Sequence, residues 1–235
     1  MVPVKQLSLL EHLPNELPDL RQCRFDCRRP FSICSGGVSA DYADIQRTRY
    51  KPKPNRDKIR LMERPEANEF HANYQKYFDL VPAGDYIEML RQNSVDSTRF
   101  FDSIPPDRHN YKYAEGKWTV KEVLMHIIDT ERVFSYRALA AARGDGETPV
   151  YRMDEELYAR NVDVTSRTLC SLTSEFKAVR GATEYLFENV TDSQSQRWCN
   201  VVTHPMTARA IGYFLIGHAQ HHIGVVRDRY LQQIK

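Results

Sequence analysis

Apolar residues recur every three to four positions through four stretches of the chain, the spacing of amphipathic helices. The first predicted helix covers about Asp85–Ser103, with Asp85 as cap, a stripe of Tyr86, Leu90, Val95, Phe100, Phe101 and Ile104, and a stop at Pro105-Pro106. The second opens on a capping box, Thr119 with Glu122, and runs to about Ala142, where Arg143-Gly-Asp-Gly146 ends it. Its inward positions are Val123, His126, Ile127, Thr130, Val133, Phe134 and Arg137. The third spans about Ser166–Val190, with Leu169, Leu172, Phe176, Val179, Thr183, Leu186 and Phe187 inward. The fourth is capped by Thr207 and reaches about Gln232. Strand-like alternation is absent from residues 85–235. Four helices of roughly 19 to 26 residues predict an all-α protein, a four-helix bundle.

The remaining segments divide the chain. Residues 1–61 hold six prolines and no sustained periodicity, and Lys51-Pro-Lys-Pro54 reads as linker. They are expected to form a poorly ordered N-terminal extension, with Met62-Glu-Arg-Pro65 as a natural start of the chain and residues 62–235 as the bundle domain. Within 62–84, Tyr74, Tyr77, Phe78 and Leu80 are apolar enough to lie against a core. Residues 143–164 form a long connection with a short helix over Asp154–Asn161, expected to cross one end of the bundle.

Charge narrows the function classes. Residues 1–61 carry 12 Lys/Arg against 7 Asp/Glu and the rest 21 against 24, so the bundle is mildly acidic and offers no basic face to nucleic acid. No apolar run is long enough to span a membrane, and no signal peptide is visible. Five cysteines, an odd and sparse set, fit reduced thiols in the cytoplasm. Cys23, Cys27 and Cys34 lack the spacing of a zinc site, and nothing pairs Cys170 or Cys199 with a base.

The candidate chemistry lies on the fourth helix, where His218 and His222 sit one turn apart on the face of Ile211, Phe214, Leu215, Val225 and Val226. Imidazoles at i and i+4 aim two nitrogens at one point, as helices do when they hold a transition metal. In a bundle, the expected third ligand is His126, on the apolar face of the second helix, the alternative being core histidines that bind no metal. Three protein ligands leave a coordination position open, the catalytic arrangement. His221, at i+3 from His218, competes with His222; the seam favours His222. Asp129 and Glu131 are candidates for orienting the rings, and Arg137 for either an anionic substrate group or a bundle ion pair. His204 is expected to be structural or exposed, with reaching the site as the lesser alternative, and His12, His71 and His109 show no metal-like context.

Two motifs carry a family resemblance. Trp118-Thr-Val-Lys-Glu-Val-Leu-Met-His126-Ile-Ile-Asp129-Thr-Glu-Arg132 resembles the second-helix motif of the DinB/YfiT-like superfamily, and Gly217-His218-Ala-Gln-His221-His222-Ile-Gly-Val-Val-Arg-Asp-Arg-Tyr230 its fourth-helix motif. The resemblance covers about residues 62–235. It implies a four-helix bundle whose metal ligands are His126, His218 and His222, with zinc as the first expectation and nickel or iron as alternatives. It also implies a homodimer and a metal-dependent transferase or hydrolase. Such an enzyme turns a low-molecular-weight thiol or water on a small electrophilic substrate. The competing expectation is a non-catalytic metal- or ligand-binding stress-response bundle with a closed coordination shell.

Overall fold

Side-chain caps set where the four bundle helices begin. In the computed structural model, which describes residues 62–150, 152–201 and 204–231, Asp85 accepts from the Glu88 amide at 2.9 Å and starts α1, Tyr86–Asp102. Thr119 and Glu122 close the capping box of α2, Val120–Arg143, through bonds of 3.1 and 2.6 Å. Thr168 accepts from Ser171 to start α3, Leu169–Glu188, a little later than the sequence pattern predicts. Thr207 does the same from Ala210 for α4, Ala208–Val226, which continues as a π-helical turn over Arg227–Leu231. Gly144, at φ +85°, ends α2 in the left-handed conformation that glycine adopts without a Cβ penalty. The readings placed on residues 1–61, including Cys23, Cys27, Cys34 and His12, lie outside the described residues.

The bundle is four-helical and mostly α. Helix α2 packs on α3 and α4, and α1 packs on the same two, so the consecutive helices α1 and α2 face each other across a diagonal. Short helices at Gln75–Phe78, Glu155–Asn161 and Asp192–Ser195 decorate the ends. Two strands of two residues each, β1 Trp198–Cys199 and β2 Met206–Thr207, pair antiparallel just before α4. The absence of strand alternation concealed them, because two residues are too short to show a period.

The core is split. One apolar cluster gathers Tyr86, Leu90, Phe134, Phe187, Ile211 and Phe214, and a second gathers Phe101, Leu124, Ile128, Leu172, Phe176 and Val226. Between them a buried polar layer crosses the bundle: Asn93 and Ser97 on α1, Thr130 and Glu131 on α2, Arg180 on α3 and His218 on α4. Arg180, 0% exposed, donates to both carboxylate oxygens of Glu131 at 2.8 Å and to the Asn93 side chain at 2.7 Å. A buried ion pair is tolerated only when its remaining hydrogen-bonding capacity is used, and here the guanidinium is held on two sides.

Some of the expected core stripe faces solvent. Val95 is exposed, because the inward row of α1 runs Tyr86, Leu90, Asn93, Ser97, Phe101 and takes in polar side chains, and Leu80, in the leading segment, is exposed as well. The leading segment, 62–84, is fastened by polar contacts as well as by Phe78. Buried Glu69 receives Thr207 Oγ1 and Arg209 Nε, each at 2.7 Å, tying the segment to the start of α4.

Candidate metal centre

The polar layer opens on one side into a cavity, and the three predicted histidines meet there. His218 is buried on α4, and His222 follows one turn on. His126 comes across from α2, held near the Trp118 ring at a centroid distance of 4.9 Å. The Nε2 atom of His218 lies 3.1 Å from that of His126 and 3.1 Å from that of His222. One donor atom from each ring falls within 4.8 Å of the others.

Hydrogen bonding does not account for this cluster. A neutral imidazole nitrogen carries either one proton or one lone pair. His218 Nε2 therefore cannot serve two well-aligned hydrogen bonds, one to each neighbour. Protonating the rings makes matters worse. Burial pushes His126 down from 6.5 to about 4 and is partly opposed by Glu155. Burial also pushes His218 and His222 well below the usual imidazole range, with the other histidines adding to the effect. Three neutral rings with converging nitrogens are what a metal ion requires. Nitrogen ligands about 2.1 Å from one ion stand roughly 3.0 to 3.4 Å apart in octahedral or tetrahedral coordination, and the two 3.1 Å separations fit. The residues present can hold a transition metal.

His221 is not part of the group. Its ring meets the Tyr77 ring edge-on at 5.2 Å, on the flank of α4. Asp129 and Glu131 are not placed to orient the ligand rings. Asp129 is taken by Arg132, and Glu131 turns inward to Arg180. The resulting buried Arg180 charge also disfavours protonation of His218.

The cavity measures about 370 Å³. Its floor is aromatic: Phe214 packs on Phe134 at 4.4 Å and beside His218 at 5.3 Å, and Tyr74 and Tyr77 close one side. Arg137, Arg152, Met153, Glu155 and His204 complete the wall. His204 was expected to be structural or exposed; it lines the cavity, edge-on to His71 at 4.3 Å and near Tyr74 at 5.8 Å. Glu155 was not singled out in the sequence, and its only signal was its place in the short helix predicted for the connection. His109 is structural, with Nε2 2.9 Å from the Ile104 carbonyl. Cys199, on β1, is buried, which raises its thiol pKa, and Cys170 is exposed on α3.

The family model described as the DinB superfamily matches residues 89–226, which include all three histidines. The chain belongs to the DinB superfamily. Among solved structures, this DinB chain is similar to YfiT from Bacillus subtilis, described as a probable metal-dependent hydrolase with an unusual four-helix bundle topology. The TM-score is 0.55 at 19% identity, covering 61% of this chain and 82% of YfiT. It is also similar to the DinB-like protein YjoA from Bacillus subtilis, with TM-score 0.45 and 19% identity over 63% of this chain and 90% of that one. A third likeness is to a mycothiol-dependent maleylpyruvate isomerase, with TM-score 0.49 and 13% identity over 63% of this chain and 61% of that one. No curated protein matches the sequence. The likeness to YfiT supports the four-helix fold. Among the described residues no helix is long and apolar enough to cross a membrane.

Proposed function

We propose that this DinB-superfamily chain is a metal-dependent enzyme, a thiol S-transferase or a hydrolase. His126, His218 and His222 would hold one divalent transition metal, zinc first and nickel or iron as alternatives. A low-molecular-weight thiol or water would then attack a small electrophilic substrate in the cavity. The observation that carries the reading is the convergence of three neutral, desolvated Nε2 atoms on the wall of a cavity large enough for a small molecule. When bound, the metal lowers the pKa of a thiol or water and polarises the group under attack.

The chain's own residues supply the rest. Phe134, Phe214, Tyr77 and Trp118 exclude bulk water around the triad. Met153 and Glu155, from the connection between α2 and α3, form part of the wall. His221 stands outside the ligand group, which favours an open coordination position over the closed shell that a non-catalytic binding bundle needs. YfiT, described as a probable metal-dependent hydrolase, offers a precedent in fold alone. A homodimeric state and a cytoplasmic location belong to the same proposal, and sedimentation of the native protein tests the first.

The test is elemental analysis of the protein purified without a His-tag, followed by turnover assays with several thiols and electrophiles. About one equivalent of metal, with turnover lost on chelation and in His218→Ala, supports the enzyme. Metal without any turnover moves the reading to a binding protein, and no metal uptake removes it.

A further inference from the structure

The cavity has two chemically different ends. At one stands the histidine triad. Away from it along α2 stands Arg137; Arg152 and one carboxylate, Glu155, also line the wall, so the charged side chains of the cavity sum to a single positive charge, with Glu155 acting on His126 as well. Arg137 is 3% exposed, on the cavity side of α2, and its guanidinium lies over the Phe134 ring at 4.4 Å. Arginine keeps its charge even where burial pushes its pKa down, as it does here. Arg137, Arg152 and Glu155 all act electrostatically on the Tyr74 hydroxyl, and Tyr74 lines the same cavity. His126 and Arg137 stand three turns apart on α2, about 16 Å of rise, and the Arg137 side chain leans back over Phe134 toward the triad.

We propose that Arg137 and Arg152 form a subsite for the carboxylate of an elongated, singly charged substrate or thiol whose reacting group reaches the histidine triad across the Phe134–Phe214 floor. The inference rests on the enzymatic reading for the identity of the reacting end, and on the wall residues alone for the anionic end. A planar guanidinium matches a carboxylate in geometry. Glu155 sets the charge limit: with one carboxylate already on the wall, a dianionic phosphate is disfavoured beside a monoanion. The aromatic floor suits an apolar linker between the two ends.

The test uses the full chain as purified, with metal content measured in every variant. The probes are 6-phenylhexanoate and its neutral counterpart 6-phenylhexan-1-ol, titrated by calorimetry and by the fluorescence of Trp118, which lines the cavity. The wild type is expected to bind the acid about tenfold more tightly than the alcohol, the worth of one charge-assisted hydrogen bond. Arg137→Gln and Arg152→Gln should each shrink that preference with metal content unchanged, and Glu155→Gln should enlarge it. Arg152 is exposed, so its variant remains informative if Arg137→Gln fails to fold. Equal binding of acid and alcohol, or a preference that survives the Arg152→Gln change, overturns the subsite. A chain without metal that still prefers the acid loses the enzymatic reading and keeps this one. A metal-loaded chain without the preference does the reverse.

Discussion

The Nε2 atoms of His126 and His218 stand 3.1 Å apart, although 92 residues separate them in the chain. Without a shared ion that contact offers at best one hydrogen bond between two desolvated rings, and His222 repeats it on the other side. The first expectation is therefore a large coupling between metal and fold. A metal at 100 times its dissociation constant stabilises the folded chain by about 2.7 kcal/mol. Chelation should lower the melting temperature of the wild type by several degrees. The same chelator should do little to His126→Ala or His222→Ala, as thermal denaturation will show.

Acid should act on the metal-free protein through the same rings. Burial holds His126 at about 4 when folded, against 6.5 in the free side chain, and also drives His218 and His222 well below 6.5. The unfolded chain then binds more protons than the folded one as pH falls below 6.5. Stability is full above that value and drains away between about pH 6.5 and 4, by on the order of 3 kcal/mol from His126 alone. Urea denaturation of the chelated protein at a series of pH values measures the slope. A flat profile across this window would mean that the rings are not held neutral.

Why some of this was legible in the sequence and some was not comes down to period and partner. His218 and His222 share a helical face by spacing alone, and His126 lies on an apolar stripe, so the triad is legible in the sequence. Thr119, Thr207 and Asp85 announced three of the four helix starts by the same local logic. Glu131 and Arg180 did not announce themselves. A charge on an amphipathic helix is normally solvated, and only the crossing of α2 and α3 reveals that the two charges neutralise each other inside. His204, Tyr74 and Glu155 reach the cavity from three different loops and short helices, and no periodicity links them.

The buried pair makes a separate prediction. Glu131 is 1% exposed and Arg180 wholly covered, so removing either partner strands a charge in the core. Glu131→Gln or Arg180→Met should each cost about 3 to 5 kcal/mol, whereas removing both charges with Glu131→Leu and Arg180→Met together should recover much of that loss. Denaturant titration of the two single variants and the double variant closes the cycle. Additive losses would show that the two groups do not act as a pair.

Two glycines on α4 give the sharpest contrast. A Cβ at Gly217 would come within 2.6 Å of the Tyr77 carbonyl carbon, so the helix and the leading segment touch backbone to backbone beside His218. Nothing lies within 4 Å of a Cβ at Gly224, seven residues further along the same helix. Alanine at Gly224 should therefore stabilise by about 0.5 to 1 kcal/mol, through helix propensity and a less flexible unfolded chain. Alanine at Gly217 should destabilise by 1 to about 3 kcal/mol, because the Tyr77 backbone must move and no flexible side chain can yield in its place. Tyr77 forms one side of the cavity, 5.7 Å from the His218 ring, so Gly217→Ala should also weaken metal retention while Gly224→Ala leaves it intact. Melting curves and metal content of the two variants, side by side, decide the matter. Equal behaviour would place the leading segment away from the helix and remove one wall of the site.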